Sequence, residues 1–61
     1  MYEVGNRVQI INHSEPQCNG NYGTIANIQL GYDGNTRFYN VLMDDAPDMY
    51  CLCTDDEMME G

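Results

Sequence analysis

The side chains best suited to hold a metal in this 61-residue chain are one histidine and three cysteines, His13, Cys18, Cys51 and Cys53. Three thiolates and one imidazole are the ligand types of a structural zinc site. The loop that holds His13 and Cys18 would have to fold over the segment that holds the other two. Neither half has the Cys-x-x-Cys spacing typical of such sites. The favoured interpretation is that Cys51 or Cys53 are small core residues and that His13 lies exposed in a loop, so no metal site is predicted and zinc binding is the alternative.

The same three cysteines bear on the redox state of the protein. Cys51 and Cys53 are two residues apart on a predicted strand, which is too constrained for an ordinary disulfide bond. Cys18 could pair with either of them and would leave one free thiol. Because the N-terminus shows no signal peptide, we expect reduced cysteines and a cytoplasmic location.

Other side chains that could do chemistry are arranged in ways that do not favour it. Asp44, Asp45 and Asp48 could ligate calcium, but they lack the Asp-x-Asp-x-Asp-Gly order and the distal glutamate of an EF-hand. A solvated acidic turn is the simpler interpretation. His13 has no serine or cysteine partner at a fixed spacing, and the segment 20–23 (GNYG) leads into a strand, whereas a phosphate-binding loop leads into a helix. We therefore expect no enzymatic activity and no cofactor.

The charge of the chain is strongly asymmetric. Ten carboxylates face two arginines, Arg7 and Arg37, for a net charge of −8. Seven of the acids lie in residues 44–61, a segment without a cation, whereas residues 1–43 hold three acids and both arginines. Nucleic acids and anionic membranes attract basic surfaces, so we expect neither as a direct partner. No apolar run of about 18 residues predicts a membrane span.

Alternation of apolar and polar residues from residue 1 to residue 53 predicts strands, and helical periodicity is absent there. The predicted strands are 7–12, 23–30, 36–43 and 49–53. In the second strand, Ile25 falls on the opposite face from Ala26 and Ile28, which predicts a bulge.

Turn signals separate and follow these strands. Asp33-Gly34 predicts a hairpin turn, and Pro47 interrupts the ladder before the fourth strand. Thr54-x-x-Glu57 matches a capping box, which predicts a single helical or 3₁₀ turn over residues 55–59. These short strands and glycine-rich turns predict a small all-β barrel or sandwich.

The order of glycines and aliphatic residues resembles a KOW motif: Gly-x-x-Val-x-Ile, a loop, then Gly-x-x-Gly-x-Ile-x-x-Ile. The matching positions are Gly5, Val8, Ile10, Gly20, Gly23, Ile25 and Ile28. The resemblance implies one SH3-like barrel domain over residues 1–61, with four to five short strands. KOW-like domains of ribosomal and transcription-elongation proteins bind RNA or protein, but this chain lacks the basic residues of the RNA-binding versions. It is also similar to short barrel proteins encoded by phages and mobile elements.

Together these observations favour a non-enzymatic module that binds a basic protein partner, in its concrete form a phage-type inhibitor that mimics nucleic-acid charge. We expect Tyr39 in the core and Tyr2, Tyr22, Tyr32 and Tyr50 partly exposed. The alternatives are a structural or self-associating subunit of a larger assembly and a zinc-stabilised domain. The predicted contact surface comprises Asp44, Asp45, Asp48, Tyr50, Asp55, Asp56 and Glu57.

Overall fold

The computed structural model describes residues 2–46 and 48–61, so the predicted effect of Pro47 on the ladder lies outside the described residues. Five strands and one 3₁₀ turn form the fold. The strands are β1 (Arg7–Ile10), β2 (Tyr22–Leu30), β3 (Arg37–Met43), β4 (Tyr50–Cys53) and β5 (Met58–Glu60). The 3₁₀ turn spans Asp55–Glu57. The predicted all-β class and the turn near the C-terminus are confirmed.

All strand pairs are antiparallel and belong to one sheet, in the order β4-β3-β2-β1-β5. Consecutive strands from β1 to β4 are neighbours, and β5 returns to pair with the other side of β1. Within the described residues β4 and β5 are the two edges and are not hydrogen-bonded to each other. The sheet is therefore open, and a closed barrel is not seen.

The long hairpin of β2 and β3 contains the predicted bulge. The register shifts between Ile25, which lies opposite Val41, and Asn27, which lies opposite Asn40. An extra residue in one strand changes which side chains face inward. Ile25 is thereby buried, whereas Ala26 is exposed. Gly34, in the turn of this hairpin, has a φ of 73°, as the Asp33-Gly34 signal predicts.

One face of the sheet forms the core. Side chains alternate along β3, so Tyr39, Val41 and Met43 point inward while Phe38 and Leu42 point outward. Tyr39 is 0% exposed and packs edge-on against Tyr2, with ring centroids 5.7 Å apart. Within the described residues, the buried hydrophobic side chains are Val8, Ile10, Cys18, Ile25, Tyr39, Val41, Met43, Cys51, Cys53 and Met58.

The strand β5 was not predicted, and the predicted turn over 55–59 is too long by two residues. The 3₁₀ turn ends at Glu57, and the chain becomes extended again at Met58. Met58 lies opposite Ile10 and is buried, because pairing with β1 directs its side chain into the core. A three-residue strand is too short to show alternation in the sequence.

The loop between β1 and β2 covers the free edge of β4. Its Cys18 is disulfide-bonded to Cys51, so the expectation of reduced cysteines is wrong for these two residues. His13 Nε2 lies 2.8 Å from the carbonyl oxygen of Leu52, which points away from β3 in the alternating ladder. Two contacts thus fasten the loop to the edge strand. No helix in the described part of the chain is long and apolar enough to cross a membrane.

Candidate functional site

The seven residues of the predicted contact surface lie at both ends of β4. Asp44, Asp45 and Asp48 are in the connection that precedes this strand, and the 3₁₀ turn with Asp55, Asp56 and Glu57 follows it. Tyr50, at the start of β4, is 57% exposed on the outer face of the sheet. Four strand residues cover about 13 Å, so the acids form two groups separated by the length of the strand.

Asp44 is neutralised by the nearer arginine. Arg7 donates from Nη1 and Nη2 to the two oxygens of Asp44, at 2.7 and 2.6 Å, in a two-pronged ion pair. The hydrogen bond from Arg7, followed by its charge, lowers the pKa of the Asp44 carboxyl. The same contact raises the pKa of Arg7. Asp44 therefore contributes little net charge to a docking surface.

The other acids of the predicted surface differ in their exposure to solvent. Asp45, Asp48, Asp55 and Asp56 are exposed, whereas Glu57 is half-buried. Glu57 forms the predicted capping box, because its Oε1 accepts a hydrogen bond from the Thr54 N–H at 2.8 Å. The four exposed aspartates are the part of the predicted surface that can meet a partner.

Arg37 lies beside the second acidic group. It lines a shallow depression together with Asp55 and Asp56. Within the described residues, however, the only ion pair closer than 4.0 Å joins Arg7 and Asp44, so Arg37 is not paired with Asp55 or Asp56 at that distance. The carboxylates at this end of β4 therefore keep most of their negative field.

An apolar groove on the outer side of the sheet was not predicted from the sequence. It has a volume of about 720 Å³, within the roughly 300–1,000 Å³ common for ligand pockets. Its apolar walls are Leu30 at the end of β2, Tyr32 in the hairpin, Phe38 on β3 and Leu52 on β4. Leu30 is 63% exposed and Leu52 46%. Phe38 and Leu52 alternate with the buried residues of their strands and so point outward. These two apolar residues at outward positions are the sequence signal that could have indicated the groove.

One carboxylate is built into this groove. Asp33 accepts hydrogen bonds from the backbone N–H groups of Asn35 and Thr36 and from the Thr36 hydroxyl, at 2.7 to 2.9 Å. These bonds, led by the one from the Thr36 backbone, lower the pKa of Asp33 to about 2. A fixed negative charge thus stands at the wall of an apolar groove.

The four-ligand zinc set considered as an alternative from the sequence does not form, because Cys18 and Cys51 are joined in a disulfide. The structure instead brings together His13, Cys53 and Glu57, whose ligand atoms lie within 4.8 Å of one another. Cys53 is buried and free, and burial, followed by the Glu57 charge, raises the pKa of its thiol to about 12. A thiol held protonated in this way is a poor nucleophile at neutral pH.

Comparisons with known proteins add no relative to this picture. No protein-family model matches the chain, and neither a curated protein nor a solved structure matches it significantly. The geometry of the described residues is therefore the basis for a functional assignment.

Proposed function

We propose that this protein is a non-enzymatic, acidic module that binds a basic protein partner. The observation that carries the proposal is an apolar groove with the Asp33 carboxylate in its wall, next to a depression lined by Asp55 and Asp56, in a chain of net charge −8. An apolar side chain of the partner would enter between Leu30, Phe38 and Leu52. Lysine or arginine residues beside it would meet the exposed aspartates. Apolar burial contributes affinity, and opposite charge speeds association and selects the partner.

Charge favours a basic partner over a second copy of this chain. Two copies that met at the groove would bring together two surfaces that each carry Asp33 and the nearby 3₁₀ turn. Like charges brought into contact cost free energy and slow association. A basic surface, such as that of a nucleic-acid-binding protein, reverses the sign of this effect. A phage-type inhibitor that occupies such a surface is the concrete form of the proposal.

The SH3-like assignment and the cytoplasmic location are part of the same proposal, although the Cys18–Cys51 disulfide removes the reduced cysteines on which that location was partly based, and such bonds are rare in cytosolic proteins. Five short strands and a 3₁₀ turn near the C-terminus support the fold that the KOW resemblance implies. The loop over the β4 edge takes the place of barrel closure in this arrangement. Predominantly acidic surfaces also keep a small domain soluble at high concentration.

The experiment is a binding measurement on partners captured from the native host with the tagged protein. Each captured partner is purified, and its affinity is measured at two salt concentrations. Reversal of three exposed acids, Asp45→Lys, Asp55→Lys and Asp56→Lys, should weaken binding by more than about tenfold and flatten its salt dependence. A partner that binds the reversed variant equally well at both salt concentrations refutes the acidic docking surface.

A matched control carries the same change in net charge at other positions. Glu3→Lys, Glu15→Lys and Glu60→Lys alter three exposed acids away from the groove. This control should retain most of the affinity if the position of the charge matters. Equal losses in both triple variants would mean that total charge alone drives association, and would contradict a defined docking site.

A self-associating subunit is the second candidate, favoured by the exposed apolar side chains of the groove and by Met59 on the edge strand β5, which is 48% exposed. Sedimentation velocity over a range of micromolar concentrations tests it. A concentration-dependent dimer that Leu52→Ser abolishes would support self-association at the groove. A monomer throughout the range would refute it.

A further inference from the structure

Three metal-ligating side chains from different parts of the chain meet at one end of the molecule. His13 comes from the loop after β1, Cys53 ends β4, and Glu57 ends the 3₁₀ turn. Their ligand atoms all lie within 4.8 Å of one another. The cluster shares the 3₁₀ turn with the proposed docking surface, but its ligand there is the half-buried Glu57, whereas the docking surface uses the exposed Asp55 and Asp56.

Contacts around the cluster already orient the imidazole. His13 Nδ1 accepts a hydrogen bond from the Glu15 N–H at 2.9 Å, so in the neutral ring Nε2 carries the proton and donates to Leu52 O. Metal-bound histidines commonly donate their other ring N–H to a backbone carbonyl in this way. Metal binding would exchange one hydrogen bond of the ring for a coordinate bond and keep the other.

The carboxylate is also held in place, with one oxygen to spare. Both hydrogen bonds from Thr54 to the Glu57 side chain go to Oε1, at 2.8 and 3.2 Å. Within the described residues, no hydrogen bond is recorded to Oε2. The capping box thus fixes the side chain and leaves one oxygen for another ligand.

The electrostatics of the cluster favour a cation. Cys53 is buried, and its only recorded polar contact in the described chain is a weak one of 3.7 Å to the Cys51 carbonyl. The Glu57 carboxylate beside it disfavours the thiolate. Arg7 is paired with Asp44, and Arg37 lines the depression with Asp55 and Asp56, a depression whose lining does not include Cys53 or Glu57. A divalent ion would supply the positive charge that is missing beside the Cys53 sulfur and the Glu57 carboxylate.

We propose that His13, Cys53 and Glu57 bind a divalent metal ion of the zinc class. Nitrogen, sulfur and oxygen donors are all common zinc ligands, whereas calcium and magnesium prefer oxygen alone. Three protein ligands leave a fourth tetrahedral position for water. On binding, the Cys53 thiol loses its proton to solvent, the sulfur forms a bond to the metal, and the metal keeps its oxidation state. The bound ion joins the loop, β4 and the 3₁₀ turn.

The test uses the full chain with its disulfide intact. Titration with Co²⁺ reports a thiolate ligand through sulfur-to-metal charge-transfer absorption, and competition with Zn²⁺ gives the zinc affinity. We expect one ion per chain, release of about one proton at neutral pH, and an increased melting temperature. Cys53→Ala and Cys53→Ser should each abolish the charge-transfer band. His13→Gln and Glu57→Gln should each weaken zinc binding by about tenfold or more. Changing a residue that only hydrogen-bonds to a metal ligand already costs about that much affinity, and loss of a ligand should cost at least as much.

Matched controls separate this site from adventitious binding to acids. Asp55→Asn and Asp48→Asn remove exposed carboxylates outside the cluster and should leave the zinc affinity within about twofold. The absence of a charge-transfer band, or equal affinity in the His13, Cys53 and Glu57 variants, would overturn the proposal. Binding that appears only after the Cys18–Cys51 bond is reduced would also overturn it, because the ligands would then be a different set. Circular dichroism of each metal-free variant verifies that it is folded.

Discussion

Reduction of the Cys18–Cys51 disulfide is the perturbation for which the structure gives the most direct magnitude. The bond joins residues 33 apart in the sequence. A cross-link of that span removes about 12–13 cal/mol/K of entropy from the unfolded chain, or about 3.7 kcal/mol at 25 °C. A domain of this size rarely has more than about 3–5 kcal/mol of total stability. Reduction should therefore bring the protein close to its unfolding transition at room temperature.

Urea denaturation with and without a non-thiol reductant measures this effect. Reduction removes no side-chain atoms, so the comparison isolates the covalent link from changes in packing. The free energy of unfolding should fall by about 3–4 kcal/mol. Cys18→Ala provides the control, because a chain without the bond should respond to reductant by less than about 0.5 kcal/mol.

A loss below about 1 kcal/mol on reduction would refute the reasoning. It would show either that the unfolded chain is already compact or that the loop is held in place without the bond. The urea m-value distinguishes the two explanations. A compact unfolded chain would lower the m-value, whereas a loop held in place without the bond would leave it unchanged.

Four further substitutions or conditions test individual features. Tyr39→Phe removes a buried hydroxyl that makes no hydrogen bond within 3.5 Å among the described residues, although the Asp55 carboxylate and the Tyr2 backbone lie close enough to shift its pKa. Stability should rise by about 1 kcal/mol, and the melting temperature by about 4–8 °C; a decrease would show that the hydroxyl is bonded to one of these two groups. Gly23→Ala would place a Cβ 2.6 Å from a backbone carbonyl oxygen of β3 and should cost about 1–3 kcal/mol in urea denaturation, whereas a neutral variant would contradict this close approach. The pKa of Cys53 is raised from 9.0 to about 12, so its contribution to stability is complete below pH 9 and is lost as the pH rises towards 12; Cys53→Ala should lack this component in denaturation curves across that window. The pKa of Asp33 is lowered from 3.8 to about 2, so its contribution is lost as the pH falls from 3.8 to 2, and Asp33→Asn should be less stable at neutral pH but show a flatter acid profile.

Local signals in the sequence predicted much of the fold. Alternation in β3 correctly separates the inward Tyr39 from the outward Phe38, because side chains of a strand must point to opposite faces. In regular alternation Ile25 would face away from the apolar Ala26 and Ile28, and this mismatch predicted the bulge. The Thr54-x-x-Glu57 pattern predicted the capping box. Each of these features is determined within a few residues of the chain.

Features that depend on distant contacts were missed. Arg7 and Asp44 are 37 residues apart, and their pairing depends on how β1, β2 and β3 align. The disulfide depends on where the β1–β2 loop lies relative to β4, which the cysteine spacing alone does not specify. The groove likewise requires the twist of the β2–β3 hairpin to bring Leu30 near Leu52.

We expect the loop at the β4 edge to couple the redox state of the disulfide to the proposed docking surface. Leu52 sends its side chain into the groove, and its carbonyl oxygen contacts His13 of the loop. Its neighbour Cys51 is joined to Cys18 of the same loop by the disulfide bond. Loss of the bond would free β4 at the edge of the sheet, where it has a strand partner on only one side. Reduction should therefore weaken binding of a basic partner at the groove. By linkage, a partner that prefers the oxidised form must make the disulfide harder to reduce by the same factor. A bound partner that leaves the reduction midpoint unchanged would show that the groove and the loop are independent.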